Sequence, residues 1–493
     1  MPFDVVVIGA GSAGCAVAAA LAESGVRRIG LVEAGPDYGA RVAGRWPAEL
    51  LDPRRGPDTH DWNYEMDRGD GTTAPESRAR VVSGCSAHNQ CAIVRPGPDN
   101  CRGWGWTAAE LAAVTRAVSQ RVPAAPYADG ELAVWQRTFL DAAVASGVRR
   151  VADVGDPAGP DGVAPFHANV VNGVRFNAAF AFLDRVRGTG AVTVLADTLV
   201  DRLELDRARA VAVHGVREGT PLVLRARRFV LCAGTYGSPA ILLRSGVGPP
   251  RELRALGIAP TLVRPGVGRN LHDHPGVALE YEPRAASRRV WAAELAAGRF
   301  YESQVLLRAR SRRAGGRADL HLAPYQSQDA SGEWSFGMLV FALTPRSRGR
   351  LSLHGADPTQ PPRIELGLLT DRAGHDVAVL LDGLRLARRV ARAQPLAGFV
   401  ARELTPGART ASVAALRRFI RAEVTNYSHP VGTCATGAAD DPAAVVGPDG
   451  RVHGLRNVYA ADASVLRRIP RANTNFSCFL SGWRAGMRLG RRR

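Results

Sequence analysis

A short apolar run, Phe3 to Ile8, leads directly into Gly9-Ala10-Gly11-Ser12-Ala13-Gly14. An alanine-rich stretch from Cys15 to Ser24 follows, then a second apolar run, Ile29 to Val32, which ends at Glu33. Strand, glycine turn, helix, strand and acid in this order predict a βαβ unit built around a dinucleotide. Gly9 permits the sharp turn from strand to helix, Gly11 leaves room for a pyrophosphate against the backbone, and Gly14 lets helix and strand lie close. Ser12 and Ala13 open the helix, whose free N–H groups and positive dipole end favour phosphate. Glu33, with Ala34 beside it, falls where an acid reaches a ribose 2′-hydroxyl. This segment alone suits NAD or FAD equally.

The formal charge of +18 invites a nucleic-acid reading, but the chain contains no lysine, so all 64 basic residues are arginine. They are spread along the sequence without zinc-finger spacing or an aromatic RNA-binding motif, so no specific nucleic-acid partner is expected. The seven cysteines are odd in number and show no CxxC or Cys/His ligand spacing. Reduced thiols, no metal and a cytoplasmic location are therefore expected. No signal peptide precedes the first strand, and no apolar run approaches the ~20 residues of a membrane span.

At 493 residues the chain favours more than one domain. Residues 36 to 78 are rich in Gly, Pro, Asp and Arg and predict a long excursion with little regular structure. A helix is predicted from Ala108 with Thr107 as N-cap, an amphipathic helix over Asp376 to Gln394, and a closing helix over Ser477 to Leu489. Strands are predicted at Ala191 to Leu195, Leu199 to Leu205, Arg228 to Cys232, Leu351 to Leu353, Arg363 to Leu366 and Leu455 to Ala461. Glycine-bearing segments at both ends of the chain point to an α/β, Rossmann-like cofactor domain over 1–270 and 430–493. A substrate domain over 271–429, an antiparallel sheet flanked by helices, is expected to be inserted into it.

Four later segments narrow the chemistry: Ala79-Arg-Val-Val-Ser-Gly-Cys-Ser-Ala-His-Asn89; Gly234-Thr-Tyr-Gly-Ser-Pro-Ala-Ile-Leu-Leu-Arg-Ser-Gly-Val-Gly248; Pro265-Gly-Val-Gly-Arg-Asn-Leu-His-Asp-His-Pro275; and Asn426-Tyr-Ser-His-Pro-Val-Gly-Thr-Cys434, followed by Tyr459-Ala-Ala-Asp-Ala-Ser464 and Asn473-Thr-Asn475. From Phe3 to about Leu489 the chain resembles the glucose–methanol–choline family of FAD-dependent oxidoreductases, its choline oxidase and choline dehydrogenase-like members in particular.

The resemblance implies FAD and the oxidation of a primary or secondary alcohol to an aldehyde or ketone, with O2 or another carrier as electron acceptor. His429 is implied as the catalytic base, since imidazole titrates near neutrality, and Asn473 as a donor to the developing alkoxide. A structural His before Pro, and an Asn capping the closing helix, are the alternatives; Asn475 suits the capping role better. Gly84, Ser86, His88, Asn89, Val200, Ala233, Gly234, Asp462 and Thr474 are implied as cofactor-binding. His88 either bonds the flavin covalently or lines its edge uncoupled. Ser83 stands where the family has the first of two glycines, which implies strain if that position needs positive φ. His272 and His274 read as structural. An NAD(P)-dependent enzyme and a non-catalytic flavin-binding scaffold are the rival readings.

Overall fold

The computed structural model describes residues 2–69, 71–328 and 334–491. Its first layer is a seven-stranded sheet in the order Val192–Leu195, Ile29–Val32, Phe3–Ile8, Thr220–Leu231, Arg209–Arg217 and Thr198–Asp206, with Val458–Ala460 also paired to Thr220–Leu231. The pairs on either side of Phe3–Ile8, and the one to Val458–Ala460, are parallel. Val5, Val6 and Val7 are fully buried, as strands covered on both faces require. Thr220–Leu231 leaves the parallel core at its N-terminal end and joins an antiparallel meander with its two predecessors.

Helix Ser12–Glu23 connects the first two strands, and helix Thr474–Arg491 lies along it. Three glycines make that contact close. A Cβ on Gly482 would stand 2.2 Å from the Ala13 carbonyl oxygen, one on Gly486 2.7 Å from that of Val17, and one on Gly490 2.3 Å from the Ser24 Cβ. Spaced at i, i+4 and i+8, they form a stripe along one helix face. The first and last helices are thereby locked together. The closing helix begins at Thr474, not Ser477, so Asn475 lies within its first turn. Its Oδ1 accepts a hydrogen bond of 2.7 Å from Ser12 Oγ, tying the two helix starts together.

The second layer is an antiparallel sheet in the order Val400–Thr405, Pro275–Pro283, Trp334–Ala342, Leu320–Gln328, Val305–Ala309 and Gly162–Pro165, with Thr425–Asn426 on Pro275–Pro283. Helices His375–Ala391, Val134–Ala145 and Val413–Ala422 cover one face. Alternation along Trp334–Ala342 sends Phe336, Met338 and Val340 into that core and turns Leu339 and Phe341 to the other side.

This layer reaches beyond residues 271–429. It takes a strand from 162–165 and a helix from 134–145, neither of which carries a pattern that announces its sheet. Conversely, Arg363–Glu365 pairs on one side with Arg350–Ser352 and on the other with Tyr64–Asp67 of the hairpin Tyr64–Asp67 and Thr73–Glu76, in a four-stranded sheet. The hairpin departs from the irregular excursion expected over 36–78. Its strands are too short to show a period against the surrounding Gly, Pro and Asp. Among the described residues, no helix is long and apolar enough to cross a membrane.

Candidate active site

The turn between the first strand and helix uses its glycines as the sequence required. Gly9 has φ +99°, and a Cβ there would meet the Cys232 carbonyl oxygen at 2.4 Å. A Cβ on Gly14 would meet the Gly9 oxygen at 1.8 Å, so helix and turn touch backbone to backbone. Glu33 Oε2 accepts from Ala10 N (2.9 Å) and Oε1 from Gly35 N (3.0 Å). Burial nevertheless pushes its pKa up to about 7.

These groups border a cavity of about 740 Å³ that runs to the boundary between the two sheets. Gly9, Gly11, Ser12, Ala13, Glu33, Ala34, Gly84, His88, Asn89, Val200, Ala233, Gly234, Asp462 and Thr474 line it, as do His429 and Asn473. The residues suit FAD on the space they leave. Gly234 has φ +79° and open space where a Cβ would stand, on the cavity wall. Asp462 keeps that wall in place: its Oδ2 accepts from Gly234 N (2.8 Å) and Ser238 Oγ (2.5 Å), and its Oδ1 from Ser464 N (2.8 Å).

Gly14 and Ser86 stand behind the wall. Ser86 Oγ donates to the Ser83 carbonyl (2.8 Å) and accepts from Ala178 N (2.9 Å), so it braces the loop and does not face the cavity. Ser83 does adopt positive φ, +92°. Its Oγ accepts from Ala179 N (2.9 Å), an interaction a glycine would lack. His88 Nε2 is buried without a hydrogen-bond partner, and burial holds the ring pKa down at about 4.

At the far end, His429 and Asn473 meet: Asn473 Nδ2 lies 3.3 Å from His429 Nε2. The loop carrying His429 is pinned from behind, with Thr235 Oγ1 donating to the Pro430 carbonyl (2.7 Å) and Thr433 Oγ1 to that of Thr235 (2.6 Å). His429 N donates to Asp273 Oδ2 (2.7 Å). His429 Nδ1 lies 3.2 Å from His274 Nδ1, and His274 Nε2 lies 3.0 Å from the Pro470 carbonyl.

The proton positions follow from the partners. A carbonyl only accepts, so His274 carries its hydrogen on Nε2 and presents a bare Nδ1. His429 therefore donates from Nδ1 and keeps Nε2 unprotonated, toward the amide of Asn473. Burial, then the neighbouring His274, Arg78 and His321, holds the His429 pKa well below its ordinary value. The ring is neutral at physiological pH.

His274 thus departs from the structural role read for it, whereas His272 keeps that role: its Nδ1 donates to the Asn270 carbonyl (2.6 Å) and its Nε2 accepts from Ile469 N (3.1 Å). Asp273, His274 and His429 bring potential ligand atoms within 4.8 Å of one another. Those atoms are engaged with each other and with N–H donors, His274 N included (2.6 Å to Asp273 Oδ1).

The wall beside His429 is made by Tyr427, which the family resemblance places near substrate and flavin, and by Phe341 and Leu339, which sequence reasoning passed over. Tyr427 stacks flat on Phe341, centroids 3.6 Å apart and planes within 5°, and lies 4.3 Å from the His429 ring. Leu339 lines the same wall. The signal was present in a strand apolar on both faces, which implies a second covered surface.

The chain is similar to known proteins over nearly its whole length. The N-terminal family model described as GMC oxidoreductase matches residues 3–276, and the C-terminal one of the same description matches 345–482. The chain is 29% identical to the oxygen-dependent choline dehydrogenase of Vibrio vulnificus (strain YJ016) over 98% of this chain and 93% of that one. It is 30% identical to that of Paraburkholderia xenovorans (strain LB400), over 96% and 91%. Among solved structures it superimposes on pyridoxine 4-oxidase from Mesorbium loti with a TM-score of 0.86, at 26% identity and 99% coverage of both chains.

Proposed function

The chain belongs to the GMC oxidoreductase family, and from that premise we propose that it oxidises a small-molecule alcohol to an aldehyde or ketone with FAD, His429 acting as base. The observation that carries the assignment of roles is the neutral His429 ring on the cavity wall, its bare Nε2 beside the Asn473 amide.

The substrate hydroxyl gives its proton to His429 Nε2 as the carbinol C–H bond breaks. A base positioned in this way contributes roughly 10²–10⁴-fold. Asn473 Nδ2 donates to the oxygen on which negative charge develops, a preorganised interaction costing little rearrangement. His274 holds the His429 ring in the accepting tautomer, and Asp273 fixes its backbone. FAD, when bound, supplies the acceptor for the hydride that leaves the carbinol carbon.

Residues 1–270 and 430–493 hold the cofactor in this reading. The segment 271–429, extended by 134–145 and 162–165, supplies the substrate wall. His88, neutral and with an unpartnered Nε2, is the residue for a covalent flavin bond. The reduced enzyme returns its electrons to O2 or to a carrier, and oxygen consumption without added acceptor separates the two. A cytoplasmic location draws support from the free cysteines, Cys15, Cys91, Cys232 and Cys434 all being buried.

The test is spectroscopic. Purified protein should carry flavin bands that bleach when an alcohol is added without oxygen. Yellow colour kept in an acid-precipitated pellet would establish the covalent bond. Absence of flavin bands after incubation with FAD would end this reading.

A further inference from the structure

We propose that the substrate is an uncharged alcohol with an apolar, ring-sized body, and that quaternary ammonium alcohols such as choline are poor substrates; this rests on the alcohol-oxidising reading of the site. A quaternary ammonium group needs a counter-charge or an aromatic cage to replace its hydration. Among the described residues, neither stands beside His429.

The cavity-lining residues include two carboxylates, Glu33 and Asp462. Both belong to the nucleotide cradle, and both accept hydrogen bonds from backbone amides there. Near the base, the charged lining group is a cation, Arg78, which donates to the Ser428 carbonyl at 3.0 Å. The carboxylates behind this end are already occupied. Asp273 accepts from His274 N, His429 N and Asn426 Nδ2. Glu76 accepts from Arg78, Tyr236 Oη and Asn426 Nδ2. Glu302 accepts from Gln90 Nε2 (2.7 Å) and Gly56 N (3.2 Å), and burial raises its pKa, opposing a full charge.

The aromatic pair at the His429 end, Phe341 and Tyr427, does not form a cage; of the other lining aromatics, Trp62 is stacked on Tyr64 with the Arg80 cation over it, and Tyr236 already carries the Arg78 cation. Phe341 and Tyr427 lie face to face, so each ring spends one face on the other. The His429 ring packs against Tyr427 as well, its centroid 4.3 Å away and its plane tilted by 46°. With Leu339 they make one continuous apolar wall, which suits the body of an uncharged alcohol through burial of apolar surface.

The experiment compares choline with 3,3-dimethylbutan-1-ol, which has the same shape without the charge, and with benzyl alcohol. Holoenzyme is used, with anaerobic flavin reduction giving turnover and perturbation of the flavin spectrum giving binding. The expected result is kcat/KM at least tenfold higher for dimethylbutanol than for choline, and higher again for benzyl alcohol. Leu339→Glu, which puts a carboxylate on the wall, should move the choline-to-dimethylbutanol ratio at least tenfold toward choline. Wild-type preference for choline over its isostere would overturn the proposal while leaving alcohol oxidation standing. If the uncharged alcohols bind but none of the three reduces the flavin, the underlying reading falls and the proposal with it. If none perturbs the flavin spectrum, the proposal also falls.

Discussion

Asn473 Nδ2 and His429 Nε2 stand 3.3 Å apart, one a donor and the other a bare acceptor, at the junction of the two layers. The His429 loop follows strand Thr425–Asn426 of the antiparallel sheet, and Asn473 immediately precedes the closing helix on the other layer. A substrate oxygen seated beside both atoms, at hydrogen-bond distance from each, meets a proton acceptor and a proton donor at once.

Replacing Asn473 with Ala removes the donor and leaves the base. Flavin reduction should slow by roughly 10²–10³-fold, the scale of losing one preorganised donor at a developing charge. Bound flavin should stay near wild type. Rapid-mixing absorbance without oxygen measures the rate, and a loss below tenfold would remove Asn473 from the mechanism.

His274 acts through His429, so it is a positioning residue. His274→Leu should lower the reduction rate and change its pH profile, because either ring nitrogen of His429 is then free to carry the hydrogen. His274→Gln should restore much of the rate, since an amide can accept from His429 Nδ1 and donate to the Pro470 carbonyl. Equal losses in the two variants would indicate packing alone.

The pH dependence has a definite sign. Protonated His429 cannot accept the substrate proton, so the rate falls as pH drops through its pKa. Burial and the neighbouring His274, Arg78 and His321 put that pKa well below 6.5. Protonation of His429 should therefore leave flavin reduction unchanged from pH 8 to 6.5, any change there coming from Asp273 and Glu33, whose carboxyls burial pushes up to about 7. A decline beginning above pH 7 that persists in Asp273→Asn at saturating FAD would contradict the depressed His429 pKa.

The expected strain at Ser83 is present, and it has a local compensation. Ser83→Ala keeps φ near +92° but loses the Oγ that accepts from Ala179 N, so it should destabilise by about 1–2 kcal/mol. Ser83→Gly loses the same bond but relieves the backbone, an offset of about 1 kcal/mol, so it should be close to neutral. Denaturant melts of the two variants separate these contributions.

Gly482→Val tests the lock between the chain ends. Its Cβ would fall 2.2 Å from the Ala13 oxygen, a backbone atom that cannot swing away. The helices must part, at a cost of about 1–3 kcal/mol from overpacking. The Ser12–Asn475 bond should break with them, lowering flavin retention. Unchanged flavin content would mean that the cradle does not depend on this contact.

Much of the cofactor half was legible because its constraints are local. Gly9, Gly11 and Gly14 are needed within one turn, and Thr107 with Glu110 forms the capping box that a helix start at Ala108 required. The helix His375–Ala391 announced itself through its apolar stripe. The catalytic end was legible only as separate motifs. His274 and His429 are 155 residues apart, and no local pattern says that their rings meet. Phe341 turns toward Tyr427 because of strand register, which depends on partners far away in sequence. The four-residue hairpin strands over 64–76 were too short for any periodicity to survive.

The central claim is that His429 takes the substrate proton. The most direct measurement is anaerobic flavin reduction by a single good alcohol in wild type and His429→Ala, both first shown to hold FAD. The account predicts equal flavin content and a reduction rate at least 100-fold slower in the variant, within the range that losing a general base brings. A variant that bleaches its flavin at close to the wild-type rate would show that another group accepts the proton.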